Sequence, residues 1–400
     1  MDSPIRKTPF TGRNFLLTII TLPLAALLWL PCMHLLLRPT AGELDRPPGP
    51  MANGMLEYHL NLWTDPASRE KEVAAIRRSN AEWDFMARSY FVWAMGNAAL
   101  RDPALAPRVL PIMDLIIDQT VDLEKKEGIY VFLMPYARSS PWIMHPPRSL
   151  FLDGEIALMM GLRRMVQEKP QYRTAMKERI EHILDRMGRG RVLCAESYPD
   201  ECWMFCNTVS LAAVRVGDYL DGTNHQPFLT RWVQMAREKL VDKKTGLLIS
   251  SFGVDGRSKD GPEGSSIWMA IHCLDLIDRD FARDQYARAK SELFRTTAGF
   301  GHAREWPLSW PGPQDIDSGH VLPGVDLSAS SSGLAMIAAA TCGDRETLGS
   351  LLTTLNLGGF GSTTNGRLKF HASNTVGDAV VLYALTLGPA WEKIRQGGRP

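Results

Sequence analysis

Eleven residues, Glu196 to Cys206 (ESYPDECWMFC), crowd three carboxylates, a phenol and two thiols just ahead of a strongly apolar segment. A carboxyl drawn out of water holds its proton more tightly, and that suits a general acid working near neutral pH. Glu196, Asp200 and Cys206 are therefore candidate catalytic groups. A fourth is Glu155 in PPRSLFLDGEIAL, two residues after Asp153. Further polar residues precede other apolar segments: Asp315, Asp317 and His320 in GPQDIDSGH, and His371 with Asn374 in KFHASN. Phe151, Asp153, Tyr198, Trp203, Trp268, Asp315, Asp317 and His371 are candidate substrate contacts. Each also has a structural reading. Asp153 and Glu155 suit the positive end of a helix, Asp315 and Asp317 suit turns, and His371 suits a core. Met159, Met160, Met204, Met269 and Met336 read as packing. Cys202 and Cys206 lack the second pair of ligands that a zinc site needs, so no metal is expected.

The elements that must position these groups are helices. From about residue 75 the pattern has helical periodicity, and alternating strand patterns are nearly absent. CNTVSLAAVRVGDYL, SIWMAIHCLDLI, SSGLAMIAAATC and NTVGDAVVLYALTLG are apolar nearly all round, whereas QYRTAMKERIEHILDRM and RDQYARAKSELFRTT carry a charged face. The first kind must be buried and the second must sit outside. Their alternation fits six helical hairpins, an all-α (α/α)6 barrel over residues 75–400, with inner helices starting near 149, 203, 264, 326 and 373. An open solenoid of hairpins is the other architecture compatible with the repeat. If the inner helices run the same way, the loops before them share one rim, where helix N-termini favour anions.

Composition is that of a globular protein: 45% hydrophobic, 22% charged and a formal net charge of +1. No basic stripe with interleaved aromatics points to nucleic acid. Residues 15–37 hold no Asp, Glu, Lys or Arg and are long enough to cross a hydrocarbon core of about 30 Å. Arg6, Lys7 and Arg13 precede them, which places residues 1–14 in the cytoplasm and sends the rest to the exported side. A cleaved signal peptide is the competing reading, but the run is longer than a usual signal and lacks a clear cleavage pattern. Residues 38–74, beginning RPTAGELDRPPGPMANG, read as linker and lead-in. Cys32 lies inside the apolar run, and five cysteines remain beyond it, an odd number.

The chain resembles the linalool dehydratase-isomerase family from about residue 80 onward. The best-matched piece is Cys206-Asn207-Thr208-Val209, preceded by Pro199-Asp200. MMGLRRMV followed by Tyr172, VDKKTGLLISSF, the Trp268 segment followed by DRDFARDQY, and LKFHASNTVGDAVVLYAL are similar too. The turn Asp315-x-Asp317-Ser318-Gly319 looks like a pattern in uncharacterised relatives. The resemblance implies an (α/α)6 barrel and cofactor-free acid/base chemistry on an allylic terpenoid alcohol. It also implies a cysteine pair bracketing an acidic segment, and an inner-helix histidine. Cys206 matches the second cysteine. Cys194 matches the first if three extra residues are allowed, and otherwise Ser197 stands there. Glu155 occupies the histidine position, and Phe151 stands for a methionine beside it. An imidazole is lost and a carboxylate gained.

The expectation is a membrane-anchored lyase or isomerase of a small apolar, terpenoid-like alcohol. One of Glu155, Glu196 and Asp200 would protonate the departing hydroxyl. Another, or Cys206 as thiolate, would accept a carbon-bound proton. A glycoside hydrolase with paired carboxylates, Asp153 or Glu155 with Asp315 or Asp317, is the alternative, and a non-catalytic binding protein is a third. Homo-oligomerisation is compatible with the sequence.

Overall fold

The computed structural model describes residues 12–45, 48–316, 318–319, 321–322 and 324–397. Asp317 and His320, together with most of residues 1–14, lie outside the described residues. The helices are α1 (Gly12–Leu37), α2 (Ala41–Asp45), α3 (Pro50–Thr64), α4 (Pro66–Ser79), α5 (Ala81–Arg101), α6 (Ala106–Glu127), α7 (Leu150–Val166) and α8 (Pro170–Arg189). They continue with α9 (Met204–Asp221), α10 (Gln226–Lys239), α11 (Gly264–Ile277), α12 (Arg279–Leu293), α13 (Ala329–Cys342), α14 (Arg345–Gly358), α15 (Thr375–Thr386) and α16 (Pro389–Gln396).

The apolar helices α5, α7, α9, α11, α13 and α15 pack each on the next, and α15 packs back on α5, so the ring closes. An open solenoid is thereby excluded. Matching contacts make neighbours parallel. Gly154 packs on Ser210 and Gly161 on Val216. Trp268 donates to Ser331 and His272 bonds Thr341, while Asn97 and Arg101 bond the residues just past α15. At Gly154 a Cβ would collide with the Ser210 side chain, so glycine there is what lets α7 and α9 approach.

Amphipathic α6, α8, α10, α12 and α14 wrap this ring. The sixth outer helix departs from expectation, because α3 lies in the stretch read as linker. Pro50 opens α3 at a position where its missing N–H costs nothing, and Met55, Leu56, Leu60 and Trp63 are buried. Its Pro/Gly-rich lead-in hid a helix that packs on α15. The first inner helix also begins later than its periodicity suggested. Asn80, extended, ends α4 and accepts from Trp83 N–H to cap α5. The last helix, α16, lies across the C-terminal ends of α5, α9 and α11 instead of beside its predecessor. There Trp391 donates to the His272 carbonyl and stacks on its ring at 4.5 Å.

Strands do occur, against the sequence reading, among the described residues in four small antiparallel sheets. They are β1 (Cys202–Trp203) with β2 (Ser251–Phe252) and β3 (Ser258–Asp260), β4 (Phe294–Thr297) with β5 (Phe300–Ala303), β6 (Val321–Leu322) with β7 (Leu327–Ser328), and β8 (Gly361–Thr364) with β9 (Arg367–Phe370). All lie in segments that lead from an outer helix to the next inner one, and so line one rim.

Among the described residues no single helix is long and apolar enough to cross a membrane. The apolar run is helical but bends by 42° between Phe15–Trp29 and Pro31–Leu37, and only the two parts together have the length and composition of a span. Pro31 removes a helical hydrogen bond at the bend.

Candidate active site in the barrel interior

The N-terminal rim is tied together by buried carboxylates. Glu196 is fully buried and accepts from the N–H groups of Ile143 (2.9 Å), Met144 (2.7 Å) and Asp200 (2.7 Å). Its backbone oxygen accepts from Leu150 N–H at the start of α7. Glu305, which the sequence reading passed over, does the same between α11 and α13. It accepts from Ser265 N–H and the Ser328 hydroxyl, and its carbonyl accepts from Gly264 N–H. Orphan N–H groups at helix starts explain why acidic residues collect there. The density of polar groups from Glu196 to Cys206 therefore reflects how the rim is built.

Most predicted site residues serve the rim too. Asp153 sits in a buried ion-pair cluster with Arg148 and with Arg179 (2.7 Å), and Arg179 also pairs with Glu124. Asp200 turns outward; its side chain is 45% exposed and bonds Lys259 at 2.9 Å. Trp203 donates to Glu201 beside it. The Glu201 carboxyl is raised above its usual range by burial. Trp268 points between helices, donating to Ser331 on α13 and meeting Tyr286 of α12 edge-on. Asp315 is exposed, and its carbonyl accepts from Trp306. His371 is exposed and bonds Ser362 across the β8–β9 hairpin at 2.6 Å. Of the carboxylates that a glycosidase pair would draw on, Asp153 is thus held in an internal ion-pair cluster and Asp315 lies in an exposed loop.

Three predicted residues, with Tyr198 bridging to the rim, do converge on the interior. Glu155 is 0% exposed, and neither carboxylate oxygen finds a hydrogen-bond partner of good geometry. Burial pushes it up to about 8, with the Glu82 charge adding and the nearby Ser89 hydroxyl opposing. Phe151 lies one helical turn earlier on the same face, edge-on to Phe85 at 4.9 Å. Cys206 is buried beside Ser197, and desolvation raises its thiol well above the ordinary range. It is held as a thiol, so the thiolate considered from sequence is disfavoured. All six cysteines are free, and Trp232 donates to the Cys194 sulfur. Tyr198 closes the layer from the rim. It donates to Glu82 at 2.8 Å, accepts from Met134 N–H and stacks on Tyr136.

The interior also holds groups that sequence reasoning missed. Tyr90 on α5 is fully buried with its hydroxyl unpartnered, and burial pushes it far up, Glu155, Cys273, Tyr383 and Cys206 adding in that order. Trp93 lies 4.9 Å from Tyr90 and 5.6 Å from Tyr383 between ring centroids, with its N–H unpartnered. His272 on α11 bonds Thr341 (2.6 Å) and Tyr383 (2.8 Å), and burial holds it neutral, down to about 3. A polar layer thus crosses the barrel, fed by all six inner helices. The available signal was a polar residue in a short apolar stretch: Tyr90 in YFVWAM, His272 in MAIHCL, Tyr383 in VVLYAL.

The linalool dehydratase/isomerase family model matches residues 154–376, more than half of the chain. The chain belongs to the linalool dehydratase/isomerase family. For this member, Glu155 falls at the start of the matched region and Cys206 well inside it. Solved structures of similar overall shape include a family 76 alpha-mannanase of Bacteroides thetaiotaomicron, at 12% identity and a TM-score of 0.48 over 78% of this chain and 87% of that one. The unsaturated glucuronyl hydrolase of Bacillus sp. GL1 is 13% identical with a TM-score of 0.40 over 69% and 83%. A family 105 glycoside hydrolase of C. acetobutylicum is 12% identical with a TM-score of 0.42 over 84% and 99%.

Proposed function

We propose that this member of the linalool dehydratase/isomerase family removes or relocates the hydroxyl of a small apolar alcohol, with Glu155 as the acid. The observation that carries this reading is a buried carboxyl, neither oxygen of which finds a hydrogen-bond partner of good geometry, pushed up to about 8 by burial. At neutral pH Glu155 is protonated. It can give its proton to a substrate hydroxyl, which leaves as water and takes the C–O bonding pair. A cation then develops on carbon, and the faces of Tyr90, Trp93 and Phe151 stabilise positive charge where water is scarce. The resulting Glu155 carboxylate can accept a proton from an adjacent carbon as the C=C bond forms. Its proton is thereby restored, and no other reactant is consumed. Isomerisation follows if water adds back at another carbon of the same cation.

The chain is further proposed to be held at a membrane by α1, whose Phe15–Trp29 stretch exposes Leu22, Leu27, Leu28 and Trp29. The test is turnover of a panel of allylic and tertiary alcohols by the full chain in detergent, followed as alkene release and as deuterium uptake from D2O. Glu155→Gln should lose at least about 100-fold, the usual contribution of a positioned acid. Native activity should fall as pH rises through about 8, where Glu155 loses its proton. Alkene formation by Glu155→Gln at the native rate rejects the assignment.

A further inference from the structure

Where exposed apolar surface lies on this barrel is strongly uneven. Outside α1, eight large apolar side chains are exposed among the described residues, and all of them lie at one rim. Tyr136 and Ile143 precede α7. Leu308, Ile316, Leu322 and Val325 lie on the long connection into α13. Leu357 in the last turn of α14 and Phe360 after it precede α15, with Phe360 70% exposed. The flanks and the C-terminal end, where α16 lies, contribute none among the described residues. Apolar side chains gathered on one face of a barrel mark a surface that is covered in use.

The position of α1 says what covers it. The Leu37 carbonyl at the end of α1 accepts from Asn356 in the last turn of α14, and His34 meets Phe300 edge-on at the start of β5. Both partners belong to that same rim, so the exposed apolar helix leaves the barrel beside the exposed apolar loops. Charge adds to this. A rim cleft of about 440 Å³ is lined by Arg189, Arg191, Arg257 and Lys259, with Asp200 and Asp255 as its only acids and Ile143 at its wall. Lys259 pairs with Asp200 and Arg257 with Asp255, so the cleft keeps a net positive charge of its lining residues, and a positive surface beside exposed apolar side chains matches an anionic leaflet.

We propose that the mouth rim rests on the lipid bilayer, with the loops before α13 and α15 dipping into the headgroup–acyl boundary. The substrate would then enter the barrel from lipid and not from water, which fits an apolar alcohol. This rests on the membrane-anchored reading of α1 and goes beyond it, since an anchor alone fixes no orientation.

The test uses the full chain carrying Cys32→Ser and Cys342→Ser, so that the remaining native thiols are buried. A small fluorophore is attached at Leu322→Cys, at Phe360→Cys or at Asn224→Cys, the last an exposed turn on the opposite rim. Each protein is reconstituted into phosphatidylcholine–phosphatidylglycerol vesicles whose lipids carry bromine at shallow acyl positions. The 322 and 360 labels should lose roughly half their emission, because side chains buried about 5–10 Å reach that depth, while the 224 label stays bright. Labels at 322 and 360 as bright as that at 224, on protein that floats with the vesicles, overturn the orientation and leave the anchor standing. Protein that does not float overturns both.

Discussion

Replacing Glu155 by Gln should stabilise the protein in a way that depends on pH. In the unfolded chain the carboxyl titrates near 4.5, and in the folded barrel near 8. Between those values the unfolded state gives up its proton and the folded state does not, so folding is opposed increasingly as pH rises. At 1.36 kcal/mol per pKa unit, the opposition reaches about 3 kcal/mol at pH 7 and about 5 kcal/mol above pH 8, where it levels off. Below pH 4.5 the group is protonated in both states and its contribution vanishes. Glu155→Gln removes the titration but buries two amide N–H donors, a pH-independent cost of about 1–3 kcal/mol. The variant should therefore be slightly less stable than the native protein at pH 4.5. The two should cross between about pH 5 and 7, and the variant should be the more stable by roughly 2–4 kcal/mol at pH 9. Urea unfolding of both proteins at half-unit intervals between pH 4.5 and 9 gives the difference curve directly. A flat difference across that range would refute the reasoning, since it would mean that the carboxyl is solvated or paired when folded.

Four further outcomes follow from the same contacts. Asp153→Asn leaves Arg148 and Arg179 without their buried partner and should cost about 3–5 kcal/mol, read from urea midpoints. Asp200→Asn loses one largely exposed pair with Lys259, and both melting temperature and turnover should stay close to native, within about 0.5 kcal/mol. Glu196→Gln gives up charge-assisted bonds to three backbone N–H groups and should cost about 1–3 kcal/mol, with proteolytic nicking near Ile143 as a second readout. His59 is fully buried with both ring nitrogens unpartnered and is held down to about 4, so native stability should fall as pH drops from 6.5 to 4, by about 3 kcal/mol in all. His59→Gln should remove that part of the acid loss in parallel urea titrations.

Much of the architecture was legible because the inner helices have no polar face to present to water. A nearly all-apolar segment such as SIWMAIHCLDLI must be enclosed, and such segments alternating with amphipathic ones fit a closed ring. Residues 38–74 read as linker and lead-in because their first part is rich in Pro and Gly, whereas Pro50 stands in the first turn of α3. Strand pairs of two to four residues at the rim are too short to show a period. For the site, Glu155 was legible with Asp153 at the start of an inner helix, and as the residue standing at the family's histidine position. Glu196 and Asp153 are as polar in sequence, but backbone N–H groups satisfy the one and guanidinium groups the other. Tyr90, His272 and Tyr383 stayed hidden because each is a lone polar residue, and only the parallel packing of α5, α11 and α15 assembles them.

The way α16 folds across the ring has a kinetic consequence. With Trp391 stacked on His272 and Arg395 paired to Asp275, α16 covers the C-terminal ends of α5, α9 and α11. On the proposed function, a substrate admitted from the opposite rim would have one doorway, and traffic through one doorway is last in, first out. Water released in the proposed dehydration would have to pass any hydrocarbon above it or wait until that hydrocarbon had left. A product that lingered would block the next alcohol and keep water next to the reactive carbon. One chamber would then favour return of the hydroxyl, at the old carbon or a new one, over its escape. Loosening the floor, by shortening the chain before Pro389, would shift the balance from rearrangement toward elimination.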